Sequence, residues 1–304
     1  MVTVMGGLAA VAVLVSSAAA SSTGNLPRGC ATEVSEELVL RSRSAISARP
    51  PTVELGARQA DSTNTTAVLS FYFHIILAEN NHTTDFITDD LLARQLDILN
   101  DGFVAMGYKF DLIETTRIVN DTWFYNATQY SPIETEMKTA LRKGDRKALN
   151  TYVVGFPDTS DSAWASLPAT LGPLDWPDGR WLIDDGVVLH NSVLLNGSNW
   201  YGWNKGKSLV HEAGHWVGLY HTFSGGCEAN YDYIDDTPLE AVPESSISAL
   251  GGCPIGRDSC PDDPGLDPIH NFMDYTGDDC RTEFTPGQVA FAHSQMEMYR
   301  QVYV

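Results

Sequence analysis

Apolar and polar positions along this chain follow two periods, and the switch between them marks its elements. Residues 70–77, SFYFHIIL, form a β-rich apolar run that predicts a central strand, with His74 read as a core or rim histidine and not a ligand. Thr88, Asp89 and Asp90 then supply a helix start, and Leu91, Leu92, Leu96, Leu99 and Phe103 recur at spacings of three and four. That spacing predicts an amphipathic helix. A strand near Tyr108–Val119, a helix near Glu134–Arg142 and a strand near Leu149–Gly155 follow. The β-α-β-α-β order predicts an α/β sandwich with parallel neighbours, because such crossovers lay helices over the sheet. Gly186–Val193, GVVLHNSV, is one more strand, separating two loops rich in Trp, Gly and Asp. Past residue 221 the pattern dissolves into Gly, Asp, Pro and Cys. A last helix opens at Thr285-Pro286-Gly287-Gln288, where Thr as N-cap, Pro at N1 and Gln at N3 spell a capping box.

The start of the chain has a different texture. Leu8 to Val15 is apolar and ends in small residues, Ala18-Ala19-Ala20, which predicts a secretory signal peptide over residues 1–20. The run is too short to anchor in a bilayer, which takes about 20 residues. Residues 21–66 are rich in Ser, Thr, Arg, Pro and Ala and read as a pro-segment or N-terminal arm, leaving 67–304 as one domain, divided into an upper part 67–221 and a lower part 222–304. A net charge of −20 on 304 residues offers no basic patch for phosphates and excludes nucleic acid as a partner. A soluble, extracellular monomer without membrane contact is expected. Five Asn-x-Ser/Thr sequons, at Asn64, Asn81, Asn120, Asn126 and Asn196, fit export.

Chemistry concentrates in VHEAGHWVGLYH, residues 210–221. On a helix His211 and His215 stand one above the other and can grip one ion. Gly218 permits the chain to turn back, so that His221 offers a third nitrogen. Three protein ligands leave a fourth tetrahedral position open, as in catalytic zinc sites and unlike closed structural ones. Glu212, beside the first ligand but not needed for binding, is placed to move protons.

The extended HExxHxxGxxH pattern with the later Asn271-Phe272-Met273-Asp274-Tyr275 is the signature of a metzincin with its Met-turn. Together with Thr222-Phe223, Asp236-Thr237-Pro238 and the later FTPGQ, these motifs resemble the pappalysin family of metzincins, in particular its fungal secreted metalloproteases. The resemblance covers roughly residues 67–304. It implies a zinc endopeptidase acting on proteinaceous or host substrates, with zinc on His211, His215 and His221, Glu212 as general base and acid, Met273 beneath the metal, and Tyr275 steadying the oxyanion. The Gly186–Val193 strand would form the upper rim of the cleft, antiparallel to its neighbours, and bind substrate by strand addition. The stretch after the Met-turn, Thr276–Cys280, would wall the pocket for the residue following the scissile bond. A carboxylate of Asp279 there would favour Arg, against a reading in which Asp278 and Asp279 face solvent.

Cysteine count adds a second feature. Cys227, Cys253, Cys260 and Cys280 read as two disulfides with three possible pairings, and the resemblance implies Cys227–Cys260 with Cys253–Cys280. Cys30 is left over: a thiolate that occupies the fourth zinc position in a latent precursor, a free thiol, or half of an intermolecular disulfide. The acidic loop Glu228–Asp236 is either a solvated loop or a calcium site. His270 and His293 lack ligand spacing. Two other functions stand beside the endopeptidase: a secreted binding module with structural zinc, which would have no use for Glu212, and an exopeptidase, which would need charges to fix a substrate terminus.

Overall fold

The computed structural model describes residues 28–32, 40, 66–156, 161–171, 180–199, 202–228, 234–243 and 252–304. The expected signal peptide, nearly all of the 21–66 arm, Asn64 and the centre of the acidic loop lie outside the described residues.

Among the described residues six strands form one mixed sheet: β1 (Arg28–Cys30), β2 (Ala67–Leu77), β3 (Tyr108–Val119), β4 (Leu149–Val154), β5 (Asp161–Ala165) and β6 (Val187–His190), in the order β1-β5-β6-β4-β2-β3. β2 is interior, as its apolar run requires. It pairs in parallel with β3 and β4, and β4 with β6, so the crossovers carry helices. The crossover helices are α1 (Asp89–Phe103), α2 (Asp121–Asn126), α3 (Pro132–Leu141) and α4 (Arg180–Asp184), and α5 (Lys207–Trp216) follows the last strand. Thr88 Oγ1 accepts from the Leu91 N–H at 3.2 Å and starts α1, whose Leu91, Leu92, Leu99 and Phe103 are buried on the sheet. His74 is a satisfied core residue, its Nε2 3.0 Å from Asn150 Oδ1 and its ring stacked on Tyr152.

One expectation fails. The rim strand is not Gly186–Val193, for β6 lies inside the sheet, parallel to β4 and fully buried through Val187, Val188 and Leu189. The antiparallel strand next to it is the five-residue β5. A VVL run without alternation is what a strand covered on both faces carries, and a half-exposed rim strand would alternate.

Below α5 the chain is irregular and is held by two disulfides, Cys227–Cys260 and Cys253–Cys280, the pairing that the resemblance implies. α6 (Pro286–Gln295) closes it with the expected capping box: the Gln288 N–H donates to Thr285 Oγ1 at 3.1 Å, and Thr285 N–H to Gln288 Oε1 at 2.9 Å. Asp236, at the end of the acidic loop, accepts from Thr285 Oγ1 and the Gly287 N–H, so its charge sits at the start of α6. Among the described residues no group of metal-ligating side chains includes this loop, and calcium gains no support.

The last residues lock the underside of α5. Arg300, fully buried, forms a double ion pair with Asp185 at 2.8 and 2.9 Å, donates through Nε to Trp216 O and lies 3.7 Å over the Trp216 ring. Burial alone would raise the Asp185 carboxyl, but Arg300 and Arg142 outweigh it and hold it below its ordinary 3.8. Among the described residues no helix is long and apolar enough to cross a membrane.

Arg300→Met should cost about 3 kcal/mol in chemical denaturation, since it removes the double ion pair from a buried carboxylate and leaves it only Arg142 at 3.3 Å and the Ser166 hydroxyl. A depressed carboxylate stabilises above its unfolded pKa and loses that contribution on acidification. The gap between wild type and variant should therefore close below about pH 4. Equal stability at pH 7 would refute the role of the pair. Gly214→Ala should also destabilise, although Ala favours a helix by about 1 kcal/mol. A Cβ there would lie 2.4 Å from Met273 Sδ, inside a fully buried contact. A melting temperature raised by the substitution would show that Met273 yields freely.

Candidate active site

The site is built where α5 ends. Gly218 takes φ +113°, and the Leu219 N–H donates to Gly214 O at 2.9 Å while the Gly218 N–H donates to His215 O at 2.8 Å, the two bonds of a Schellman turn. The reversal carries His221 back to the helix face. The Nε2 atoms of His211, His215 and His221 then form a triangle with edges of 3.1 to 3.2 Å.

That triangle can be tested against a metal ion. His211 Nδ1 lies 2.7 Å from Phe272 O and His215 Nδ1 2.8 Å from Leu219 O. A carbonyl oxygen only accepts, so both rings carry their proton on Nδ1 and turn bare Nε2 lone pairs toward one another. Burial lowers the pKa of all three rings, His215 to about 4, so protonation does not relieve the repulsion. A cation does. A tetrahedral ion about 2.0–2.1 Å from each nitrogen sets N···N edges of roughly 3.3 Å, which the triangle nearly matches. The donor set fits zinc.

Around the triangle stand the other residues that the sequence singles out. Met273 is fully buried beneath α5, and the turn that holds it is tied down by the Asn271–Gln288 amide pair at 2.7 and 3.0 Å. Tyr275 packs its ring against His221, centroids 4.9 Å apart. Glu212 is buried, and burial raises its carboxyl to about 8 against the pull of Cys30, Thr32 and Arg281. His270 Nδ1 bonds Cys280 O and His293 Nε2 bonds Met106 O, so neither joins the site.

β1 covers all of this. It pairs in parallel with β5, Cys30 opposite Ala163, and places Cys30 Sγ within 4.8 Å of the three imidazole nitrogens. The thiol donates to Glu212 Oε2 at 3.3 Å, and the Tyr275 hydroxyl donates to Cys30 O at 2.6 Å. Burial and the nearby Glu212 push the thiol's pKa well up. Two neighbours of Cys30 take part without any sequence signal of their own. Thr32 Oγ1 lies 3.3 Å from Glu212 Oε2 and accepts from the Ala165 N–H at 2.9 Å. Gly29 passes so near Tyr275 that a Cβ would meet its ring at 2.7 Å.

Asp279 is not part of the site. Its side chain is 78% exposed and pairs with Lys205 on the surface, while Asp278 points inward to Arg281. The two carboxylates leave a turn in opposite directions, which adjacency in sequence does not reveal. Asn126 and Asn196 are exposed; Asn120 instead caps α2, its Oδ1 accepting from the Trp123 N–H at 3.0 Å, and Asn81 is half-buried.

The comparisons with known proteins agree with this geometry. The family model Peptidase_M43, described as pregnancy-associated plasma protein-A, matches residues 177–297. An extracellular metalloprotease of Colletotrichum graminicola is 38% identical over 295 residues, 96% of this chain and 97% of that one. One from Verticillium alfalfae is 41% identical over 251 residues, 80% and 82% of the two chains. Among solved structures, mature mirolysin of Tannerella forsythia in complex with a cleaved peptide matches with a TM-score of 0.58 at 23% identity, over 77% of this chain and 96% of that one. A promirolysin mutant matches with a TM-score of 0.61 at 21% identity, over 90% and 95%. These two likenesses speak to the metzincin-like fold alone. Relatives alike over nearly the whole length settle what the family model and the fold point to: the chain belongs to M43, the pappalysin family of zinc metalloproteases.

Proposed function

We propose that this chain is the latent precursor of a secreted zinc endopeptidase, and that Glu212 is its general base. The observation that carries the reading is the triangle of bare imidazole nitrogens with a buried, non-ligating carboxylate beside it. A structural site would have no use for that carboxylate. His211, His215 and His221 would hold the ion, which when bound supplies a Lewis acid toward water and the substrate carbonyl. Glu212 Oε2 takes a proton from the attacking water and returns it to the leaving amine. The Tyr275 hydroxyl, now donating to Cys30 O, would donate to the reacting carbonyl oxygen in the same way. Substrates are extracellular proteins and peptides, in keeping with the names of the curated relatives. The exopeptidase and binding-module readings draw no comparable support.

Latency follows from β1. To serve as a ligand the Cys30 thiol would lose its proton, and Glu212 Oε2 is the acceptor that the structure offers at 3.3 Å. The protonated carboxyl can no longer accept a proton from water. The segment would thus bring Cys30 Sγ to the ion alongside the three imidazoles, while its thiol engages Glu212 and its backbone carbonyl engages Tyr275.

Purified enzyme, freed of its N-terminal segment, should cleave a peptide library, and a chelator should stop it. Glu212→Gln should abolish turnover while zinc content stays at one ion, because the carboxylate moves protons and does not ligate; residual turnover in a pure preparation would sink the mechanism. His221→Ala should lose zinc itself. Full-length Cys30→Ser should be active without processing. If it is as silent as wild type, the segment blocks by bulk and not by its thiolate.

A further inference from the structure

Each of the two disulfides joins an exposed cysteine to a buried one, Cys227 to Cys260 and Cys253 to Cys280. Their surroundings differ. At the second bridge His270 brings a ring nitrogen within 4.8 Å of both sulfurs, its Nδ1 lying 3.6 Å from Cys280 Sγ. Among the described residues no histidine or carboxylate joins Cys227 and Cys260 in that way. Nδ1 of His270 is also 2.8 Å from Cys280 O, and a carbonyl only accepts, so this nitrogen carries the proton. A protonated nitrogen does not ligate, and bridged sulfurs offer no thiolate to a metal. The group is instead a hydrogen-bond donor held beside a sulfur that becomes a strong acceptor only when its bridge opens.

Backbone fixes that donor, for His270 O accepts from the Thr282 N–H at 2.7 Å and the Glu283 N–H at 3.2 Å. Cys280 is 2% exposed, so an incoming thiol meets Cys253 first. Attack at Cys253 makes Cys280 the leaving sulfur, and burial alone would hold back a thiolate there. The His270 N–H offsets that cost at this bridge and not at the other. The bridge also holds a turn that matters to α5. The Cys280 N–H donates to Gly277 O at 2.8 Å, and within this turn Asp278 Oδ2 accepts from the backbone N–H groups of Lys205 at 2.8 Å and Lys207 at 3.2 Å. α5 has no side-chain cap of its own, so Asp278 serves as one from across the chain. Opening the bridge would loosen the cap of the helix that bears His211 and His215.

We propose that the Cys253–Cys280 bridge is a modification site for a small thiol, with Cys253 the sulfur attacked, Cys280 the sulfur released and His270 the donor that receives it. The thiol, as its thiolate, attacks Cys253 Sγ. A new disulfide to Cys253 forms as the Cys253–Cys280 bond breaks, and the electron pair of that bond leaves on Cys280 Sγ. The released thiolate accepts from His270 Nδ1 and takes up the proton that the incoming thiol gave to water. One disulfide replaces another, so the step needs no further oxidant or reductant. Cys227–Cys260, with a buried leaving sulfur and no such donor, exchanges slowly.

The test treats the zinc-loaded full-length precursor with glutathione near neutral pH, quenches early with acid, caps free thiols with N-ethylmaleimide and maps every cysteine by peptide mass spectrometry. The glutathione adduct should appear on Cys253, with the cap on Cys280, roughly tenfold faster than any adduct on Cys227 or Cys260. Cys30, free from the outset, is scored apart. In H270A, which opens access to the bridge, the rate at Cys253 should nonetheless fall to that of the other bridge, while Cys227–Cys260 exchanges as before. Equal rates at the two bridges, faster exchange at Cys227–Cys260, an adduct on Cys280 in place of Cys253, or no exchange at either bridge overturns the proposal, and this comparison within wild type needs no variant to fold. A Cys253 rate unchanged or raised in H270A overturns the role of His270.

Discussion

Three buried imidazoles converging their Nε2 atoms on one point is the constraint on which the rest of the structure depends. Such an arrangement is repulsive without a cation, so every ring must be held by something other than its neighbours. Backbone carbonyls hold two of them: Phe272 O in the Met-turn fixes His211, and Leu219 O in the Schellman turn fixes His215. Both carbonyls sit on backbone that is itself pinned. Gln295 of α6 packs where a side chain on Gly218 would go, its Cγ 2.5 Å from the position of a Cβ. The amide pair of Asn271 and Gln288 links the Met-turn to the same helix. The metal site, the helix reversal and the C-terminal helix therefore form one packing problem.

This explains why the lower region can be so poor in regular structure and still orient a ligand set. Two disulfides shorten the loops, and buried ion pairs do the remaining work. Glu240 is among the buried carboxylates there. Burial and the neighbouring Asp274 push it up to about 8, and Arg257 and Thr222 bond it directly. Thr222 directly follows His221, so the network reaches the chain that carries the third imidazole. Arg300 plays the equivalent part from below, clamping Trp216 at the end of α5.

Much of this was legible in the sequence, for reasons that differ by element. α1, β2 and the capping box of α6 are local patterns, where spacing and chemistry within a dozen residues decide the outcome. HExxHxxGxxH is legible because the helix period and one glycine bring three side chains to one face, even though distant segments then fix the rings. What escaped depends on contacts between distant segments. β5 is too short to announce itself, and its place next to β6 depends on pairing between segments about 20 residues apart in sequence. β6 did carry a signal, an unalternating VVL run, that argued for the interior and against the rim. Gly214 reads as an ordinary interruption of a helix until Met273 is found against it. Thr32 and Arg281 carry no motif at all. Asp278 and Asp279 look equivalent in sequence, and only the turn separates a buried helix cap from a surface ion pair.

The proposed latency and the proposed chemistry draw on the same atoms, and this limits how the two can vary independently. Tyr275 donates to a backbone carbonyl of β1, and Glu212 accepts from the thiol of Cys30 with Thr32 alongside. Strengthening the segment's hold by altering Tyr275 or Glu212 would alter catalysis equally. The positions free to tune latency lie on the segment side. Gly29 sets how closely β1 passes Tyr275, because any side chain there would press on the ring, and Thr32 sets the register through the Ala165 N–H. Both touch the catalytic groups only while the segment is present. Selection on activation can therefore act on Gly29 and Thr32 without cost to the enzyme that remains once the segment has gone.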